Sequence, residues 1–142
     1  MSDLDARRIE VVRVHMESEN VHDFALTMST FAHPRYELIG TGQVYDGEEE
    51  VMRYFRASRT PFPDQRNEVI SLRAMEDAVL AEFWLMGTHR NALRTPQGEL
   101  PATNKSFRVR MAAIFEFAPQ TDRIVCERVY FDQNSILKQL TA

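Results

Sequence analysis

The sequence predicts an α+β fold with three N-terminal helices, a run of antiparallel strands and a short closing helix. Two observations support this order. In the N-terminal part, apolar residues recur every three or four positions, as on one face of a helix. From residue 67 onward they form longer strand-like stretches bounded by turn residues.

The first helix is predicted for residues 4–20, because its apolar side chains fall on one arc and its charged side chains fall on the opposite arc. His15 lies four residues after Val11 and three after Val12, so it projects from the apolar side. We therefore expect a partly buried histidine.

Two shorter helices are predicted next. Asp23 is expected to cap a second helix that continues to Pro34. A short extended piece and a turn occupy residues 35–43. Residues 46–49 (Asp-Gly-Glu-Glu) are typical of a capping box, which predicts a third helix that stops before Pro61.

Turn residues divide the remainder into strands. The predicted strands cover residues 67–73, 79–89, 106–117 and 123–131. We expect sequential antiparallel pairing, followed by a short amphipathic helix at the end of the chain. Residues 95–101 are predicted to form a polar, proline-bounded loop of the kind that often borders a binding site.

The strand over residues 79–89 is apolar on both faces, with Phe83 and Leu85 on one side and Trp84 and Met86 on the other. Only one face of an antiparallel sheet can pack on the three helices. The second face needs its own cover, and we therefore expect a homodimer formed through the sheet.

Composition narrows the possible functions. The 142 residues suit one domain spanning 1–142. The net charge of −4 argues against a nucleic-acid partner. With no apolar stretch of bilayer length and no secretory signal pattern, we expect a cytoplasmic protein without a membrane partner.

The single cysteine and the four histidines give no sign of a metal or redox site. Cys126 lies in an apolar strand and is predicted to be a buried, unreactive thiol. The histidines lack the spacing of metal ligands, so no metal is predicted.

Asp132 is the main catalytic candidate, because it stands where the last strand ends. A carboxylate there can reach a cavity enclosed by the sheet, and a dry environment would raise its pKa towards the range useful for proton transfer. The alternative is that Asp132 caps the closing helix, with Ser135 three positions later.

One histidine and two arginines are further candidates for contacting a substrate, and each has an alternative without a functional role. His89 follows a strand and could reach a substrate carbonyl or lie solvated at the rim. Arg108 and Arg110 share a strand face and could contact Asp132 or a substrate carboxylate, or could be surface arginines.

Several aromatic and methionine side chains could line a cavity, although such residues at regular spacing also suit plain core. The candidates for binding a substrate are Trp84, Tyr54, Phe24, Met28 and Tyr130.

In this element order, the sequence resembles the SnoaL-like polyketide cyclases of the nuclear transport factor 2-like superfamily, which also contains ketosteroid isomerase. The motifs that carry the resemblance are ENVHD (19–23), GQVYDG (42–47), FPD (62–64), GTH (87–89), LPAT (100–103), ERVYFD (127–132) and ILKQL (136–140).

The resemblance implies a cone, in which a strongly curved sheet wraps the helices around an apolar pocket, within a homodimer. It also implies that Asp132 is the acid and base in an aldol closure of a polyketide ester, with no metal or organic cofactor. The expected ligand is therefore a small apolar or polyketide-like carbonyl compound. A non-catalytic binding or interaction module of the same fold is the alternative.

The sequence departs from ketosteroid isomerase at two functional positions. Leu38 and Ala113 stand where that enzyme has its general base and its protonated aspartate. Steroid isomerisation is therefore not expected. His15 occupies the place of the isomerase's oxyanion-binding tyrosine, so it could be a polar donor in the pocket or a hydrogen-bonded core histidine.

Overall fold

The computed structural model describes residues 1–142. The helices are α1 (Asp3–Asn20), α2 (Phe24–Ser29), α3 (Glu48–Arg59) and α4 (Gln133–Thr141). The strands are β1 (Arg35–Leu38), β2 (Gln43–Asp46), β3 (Arg66–Met75), β4 (Ala78–Thr88), β5 (Leu93–Thr95), β6 (Gly98–Leu100), β7 (Ser106–Phe117) and β8 (Ile124–Tyr130). None of the helices combines the length and apolar character needed to cross a membrane.

Helix α1 matches the predicted bounds to within one residue, and a capping box fixes its start. Ser2 Oγ accepts a hydrogen bond from the Asp5 amide at 3.0 Å, and the Asp5 carboxylate accepts one from the Ser2 amide at 3.2 Å. Val12, His15 and Met16 lie on its buried face. The prediction that His15 points inward is confirmed.

Helix α2 is shorter than predicted. Asp23 caps it as expected, accepting a hydrogen bond from the Leu26 amide at 3.2 Å. The helix ends at Ser29 instead of continuing to Pro34, because Phe31 is already bridged to Ile124 of the sheet. A tertiary contact therefore ends the helix before the proline does.

The predicted capping box at residues 46–49 is wrong. Asp46 is the last residue of β2, and its amide donates to the Glu50 carboxylate at 2.9 Å. Helix α3 starts after Gly47, whose φ of +88° favours glycine and which provides no side-chain cap. Three glutamates in the first turn (Glu48, Glu49, Glu50) suit the positive end of the helix dipole.

The main sheet has six strands in the order β2-β1-β8-β7-β4-β3. Strands β3, β4, β7 and β8 pair antiparallel, as predicted. Strand β1, predicted only as a short extended piece, joins this sheet by pairing parallel with β8. The predicted turn at residues 40–43 is present to within one residue, and β2 follows it as a strand that was not predicted. The predicted loop at residues 95–101 contains most of a small β5–β6 hairpin.

The sheet curves around the helices, as the fold prediction requires, and two irregularities interrupt its pairing. The register shifts between Val69 and Ser71 in β3 and between Glu116 and Phe117 in β7. Such bulges bend a strand and increase its twist. The inner face packs on α1, α2 and α3 to form one core, whose largest fully buried apolar side chains are Tyr36, Phe55, Phe115, Ile124 and Leu140.

The outer face of the sheet carries charged and aromatic side chains. The Arg108 guanidinium lies 3.8 Å from the centre of the Trp84 ring, a close cation–π contact. Arg128 bridges Glu37 at 2.8 Å and Glu116 at 3.2 Å. Cys126 is buried, which raises the pKa of its thiol to about 11 and makes it a poor nucleophile.

Candidate functional site

A cavity lies between α1, α3 and the inner face of the sheet, and it is partly polar. Its volume is about 50 Å³, room for roughly three or four water molecules. Its apolar wall consists of Met16, Tyr54, Phe83, Leu85, Met111 and Val129. Its polar wall consists of Glu19, Asn20, Arg59, Gln65, Arg66, Asn67 and Glu127.

Ligand pockets in proteins usually measure roughly 300–1,000 Å³, so this cavity is narrow as it stands. Met16 and Met111 both form part of the apolar wall. Because methionine side chains are flexible, these two can rearrange to admit a ligand larger than a few atoms.

At the inner end, Glu127 belongs to a buried cluster of hydrogen-bonding groups centred on His15. The Nε2 atom of His15 lies 2.8 Å from Glu127 Oε1, 3.0 Å from the Tyr36 hydroxyl and 3.5 Å from Glu19 Oε1. His15 has no solvent exposure, and the side chain of Glu127 is only 7% exposed. Burial at this level strengthens every electrostatic interaction in the cluster.

Thr30 fixes which ring nitrogen of His15 faces the carboxylates. The hydroxyl of Thr30 has one hydrogen, which it donates to the Thr27 carbonyl at 2.6 Å. Its oxygen therefore accepts the Nδ1–H of His15 at 2.9 Å. With Nδ1 protonated, Nε2 is the atom that exchanges a proton with Glu127.

His15 and Glu127 hold a proton between them. Burial alone lowers the pKa of His15, but Glu19 and the hydrogen bond to Glu127 outweigh it, and the pKa lies above the usual 6.5. Burial and the charge of Glu19 raise the pKa of Glu127 above the usual 4.5, although His15 opposes this. Both shifts favour retention of the proton in the 2.8 Å contact.

Arg59 balances the second carboxylate. One of its terminal nitrogens lies 3.3 Å from Glu19 Oε2, and the other donates to Ser58 Oγ at 2.8 Å. With Glu19 and Glu127 negative, Arg59 positive and His15 protonated, the cluster is electrically neutral. A neutral cluster is stable in a buried site, where a net charge would be costly.

The three groups His15, Glu19 and Glu127 could also coordinate a metal ion by their spacing, because their ligand atoms lie within 4.8 Å of one another. Arg59 already compensates Glu19 and the shared proton compensates Glu127, so a divalent ion would add excess positive charge to this site. That the protein acts without a metal ion stays a prediction.

The comparison with protein families identifies the chain. The sequence model of the SnoaL-like polyketide cyclases matches residues 9–140. The chain belongs to this family. The matched region contains the whole His15 cluster. None of the curated proteins matches this SnoaL-like protein in sequence.

Solved structures with the same fold share little sequence with this SnoaL-like protein. A protein from a Jannaschia species, provisionally described as a SnoaL-like polyketide cyclase, has a TM-score of 0.85 at 16% identity, covering 100% of this chain and 96% of the other. IdmH from Streptomyces antibioticus, provisionally described as a polyketide cyclase, has a TM-score of 0.78 at 21% identity, covering 95% and 99%. AclR from Streptomyces galilaeus, provisionally described as a hydroxylase, has a TM-score of 0.79 at 15% identity, covering 96% and 97%. At these identities the likeness establishes the fold alone.

Asp132 does not lie in the cavity of this SnoaL-like protein. Its side chain is exposed and caps α4, accepting hydrogen bonds from the Asn134 amide at 3.0 Å and the Ser135 hydroxyl at 3.1 Å. The expectation of a carboxylate in a dry cavity is therefore wrong for Asp132. The alternative, a helix cap, describes its position.

His89 is buried, but it lies outside the cavity. Its Nδ1 contacts Thr103 Oγ1 at 3.0 Å and accepts from the Thr103 amide at 3.2 Å. It packs near Phe62 and does not line the cavity. His89 has no solvent exposure, so the alternative of a solvated rim residue is wrong, and its burial lowers its pKa.

Only Tyr54 among the predicted binding residues lines the cavity. Trp84, Arg110 and Tyr130 point to the outer face of the sheet, because each pairs in register with another outward residue. Their assignment to the cavity wall is wrong.

Phe24 and Met28 pack against the core without lining the cavity. The Phe24 ring stacks on Phe55 at 4.8 Å between ring centres. The assignment of these two residues to the cavity is therefore also wrong, and the plainer alternative of core packing applies to both.

Sequence reasoning missed Glu19, Arg59 and Glu127. Glu19 follows His15 by four residues, so a shared helix face was available as a signal. Glu127 lies 112 residues from His15, and no local pattern links them. Arg59 stands in the last turn of α3, where an arginine is ordinarily explained by the helix dipole.

Proposed function

We propose that this protein binds a small carbonyl compound of polyketide-like type in the cavity and transfers a proton with the His15–Glu127 pair, without a metal or organic cofactor. The observation that carries the proposal is the buried 2.8 Å contact between His15 Nε2 and Glu127 Oε1, with Glu127 lining a partly apolar cavity. Paired groups with shifted pKa values in a cavity are typical of acid–base sites.

The proposed reaction is an aldol-type ring closure. With the proton on His15, the Glu127 carboxylate removes a hydrogen from the carbon next to a substrate carbonyl, giving an enolate. The enolate carbon attacks a second carbonyl of the same molecule and forms a carbon–carbon bond. The new alkoxide takes a proton from the pair, which restores its starting state with no oxidant or reductant.

This assignment replaces Asp132, which the family resemblance suggested, by Glu127. The side chain of Glu127 is enclosed and lies 2.8 Å from a histidine, whereas that of Asp132 is exposed and caps a helix. An exposed carboxylate is a weaker base for a carbon acid than a desolvated one.

Hydrogen–deuterium exchange tests the proposal without knowledge of the natural substrate. The α-hydrogens of a small β-keto ester such as methyl acetoacetate should exchange in heavy water faster with the protein than with buffer alone. Glu127→Gln and His15→Gln should each lower the protein-dependent rate at least tenfold. Asp132→Asn, which keeps a good helix cap, is the matched control and should retain the rate.

Two results would count against this assignment: no exchange above the buffer rate, or loss of exchange in Asp132→Asn with retention in Glu127→Gln. The narrow cavity favours one rival, a binding module that holds a small molecule without turnover. That rival predicts saturable binding of the ester with no exchange in any variant.

We also propose that the protein forms a homodimer through the outer face of the sheet in the cytoplasm. Ile70, Met75 and Tyr130 are each at least 40% exposed, which leaves apolar surface uncovered. Light scattering tests the dimer, and a monomer at micromolar concentration would contradict it.

A further inference from the structure

We propose that Arg59 donates its Nε–H to the carbonyl oxygen of the bound molecule, and that this molecule is uncharged at that end. The inference deepens the proposed function and uses the same cavity. It would make Arg59 a catalytic residue, because the oxygen that it binds becomes the enolate oxygen.

The Nε–H of Arg59 is a buried donor without an acceptor. Only two buried side-chain nitrogen or oxygen atoms in the chain lack a hydrogen-bond partner, Arg59 Nε and His89 Nε2. Arg59 lines the cavity and His89 does not. Buried donors in native proteins are nearly always paired, by the protein, by water or by a ligand.

The guanidinium is held in place by its other nitrogens. One contacts Glu19 at 3.3 Å and another donates to Ser58 at 2.8 Å. Its central carbon also lies 5.2 Å from the ring centre of Phe24 and 5.6 Å from that of Phe55. These contacts fix the side chain and leave Nε as its only nitrogen without a partner, which is the preorganisation that stabilises a developing oxyanion.

The two carboxylate oxygens of Glu19 connect the donor to the proton carrier. Oε2 lies 3.3 Å from Arg59, and Oε1 lies 3.5 Å from His15 Nε2. One small molecule can therefore reach both Arg59 and Glu127, which line the same cavity. A carbonyl oxygen and its α-hydrogen are separated by only two carbon atoms, which fits this close arrangement.

Charge balance sets the class of ligand. Glu19 and Glu127 are balanced by Arg59 and by the proton on the His15–Glu127 pair. A free carboxylate would leave this buried site with an uncompensated negative charge, which is unfavourable. A ketone, ester or thioester keeps the site neutral before and after the α-proton moves to Glu127.

The first test compares two ligands of similar size by saturation-transfer NMR on the wild-type protein. Methyl acetoacetate should show binding, and acetoacetate, its free carboxylate, should show at least tenfold weaker binding. Equal binding of the two would overturn the inference. This measurement needs no turnover, so it remains informative even if the exchange assay of the proposed function fails.

The second test uses Arg59→Lys, which keeps the positive charge opposite Glu19 but lacks the Nε–H. Arg56→Lys is the matched control, because Arg56 is an exposed arginine of the same helix. Arg59→Lys should lower kcat for α-hydrogen exchange at least tenfold, more than it raises KM, and it should weaken binding of the ester. Wild-type kcat and wild-type ester binding in a folded Arg59→Lys protein would overturn the inference.

Discussion

Replacing Glu127 by glutamine should reduce the loss of stability that the wild-type protein undergoes as pH rises above neutrality. The pKa of His15 and that of Glu127 are both raised in the folded chain, above the usual 6.5 and 4.5. At pH values between each usual pKa and the corresponding raised pKa, the folded state therefore binds more protons than the unfolded state. Stability from such groups is complete at low pH and is lost as pH rises through the folded pKa.

The structure gives the size of this effect. Once the pair has lost its proton, no charge on His15 offsets the repulsion between Glu19 and Glu127, whose ligand atoms lie within 4.8 Å of each other. At an effective dielectric constant of about 20, this separation corresponds to a repulsion of about 3 kcal/mol. Arg59, 3.3 Å from Glu19, offsets part of it, so this value is an upper bound.

In a chain of this length, about 3 kcal/mol corresponds to a shift in Tm of roughly 10 °C. The glutamine variant lacks the charge of Glu127, so its loss of stability at alkaline pH should be smaller by up to this amount. At low pH the variant should be less stable than the wild type, because it loses a charged hydrogen bond worth about 1.5–3 kcal/mol.

Thermal unfolding followed by circular dichroism, from about pH 5 to about pH 9, checks this expectation. The difference between the two Tm curves cancels all groups that the variant leaves unchanged. Asp132→Asn serves as the control and should run parallel to the wild-type curve, because its carboxylate is exposed. Parallel curves for Glu127→Gln and the wild type would refute the shared buried proton.

Three further predictions concern residues around the site and the fold. Thr30→Val removes the acceptor for His15 Nδ1–H, so it should shift the pH profile of α-hydrogen exchange; an unchanged profile would show that Thr30 does not set the tautomer. Gly40→Ala should destabilise the fold by about 1–3 kcal/mol, because its Cβ would lie 2.6 Å from the Phe131 carbonyl oxygen, and an unchanged Tm would contradict that contact. Treatment with EDTA should leave both exchange and Tm unchanged, and restoration of lost activity by zinc would instead favour a metal at His15, Glu19 and Glu127.

The outer-face arginines show how local sequence leaves a choice open. From sequence alone, Arg108 and Arg110 could contact Asp132 or a substrate carboxylate, or could be surface arginines. The structure places Arg108 3.8 Å from the Trp84 ring centre and Arg110 3.6 Å from Glu82, both on the outer face. Strand alternation predicts that the two share a face, but only packing decides which face is covered.

The sequence by itself determined the elements whose signals are local. Apolar spacing placed α1 and turned His15 inward, and alternation with turn residues placed β3, β4, β7 and β8. Asp23 and Asp132 could be recognised as helix caps because a cap acts on amides two or three residues away.

Only the tertiary structure decided that Glu127 would face the cavity. In β8, Ile124 pairs with Phe117 and Cys126 pairs with Glu116, so the register shift leaves Val125 without a partner. Without that bulge, strict alternation from the inward Ile124 would turn Glu127 outward. One extra residue reverses the faces of a strand, and the partner that fixes it lies on another strand, which is why no local pattern reveals the His15–Glu127 pair.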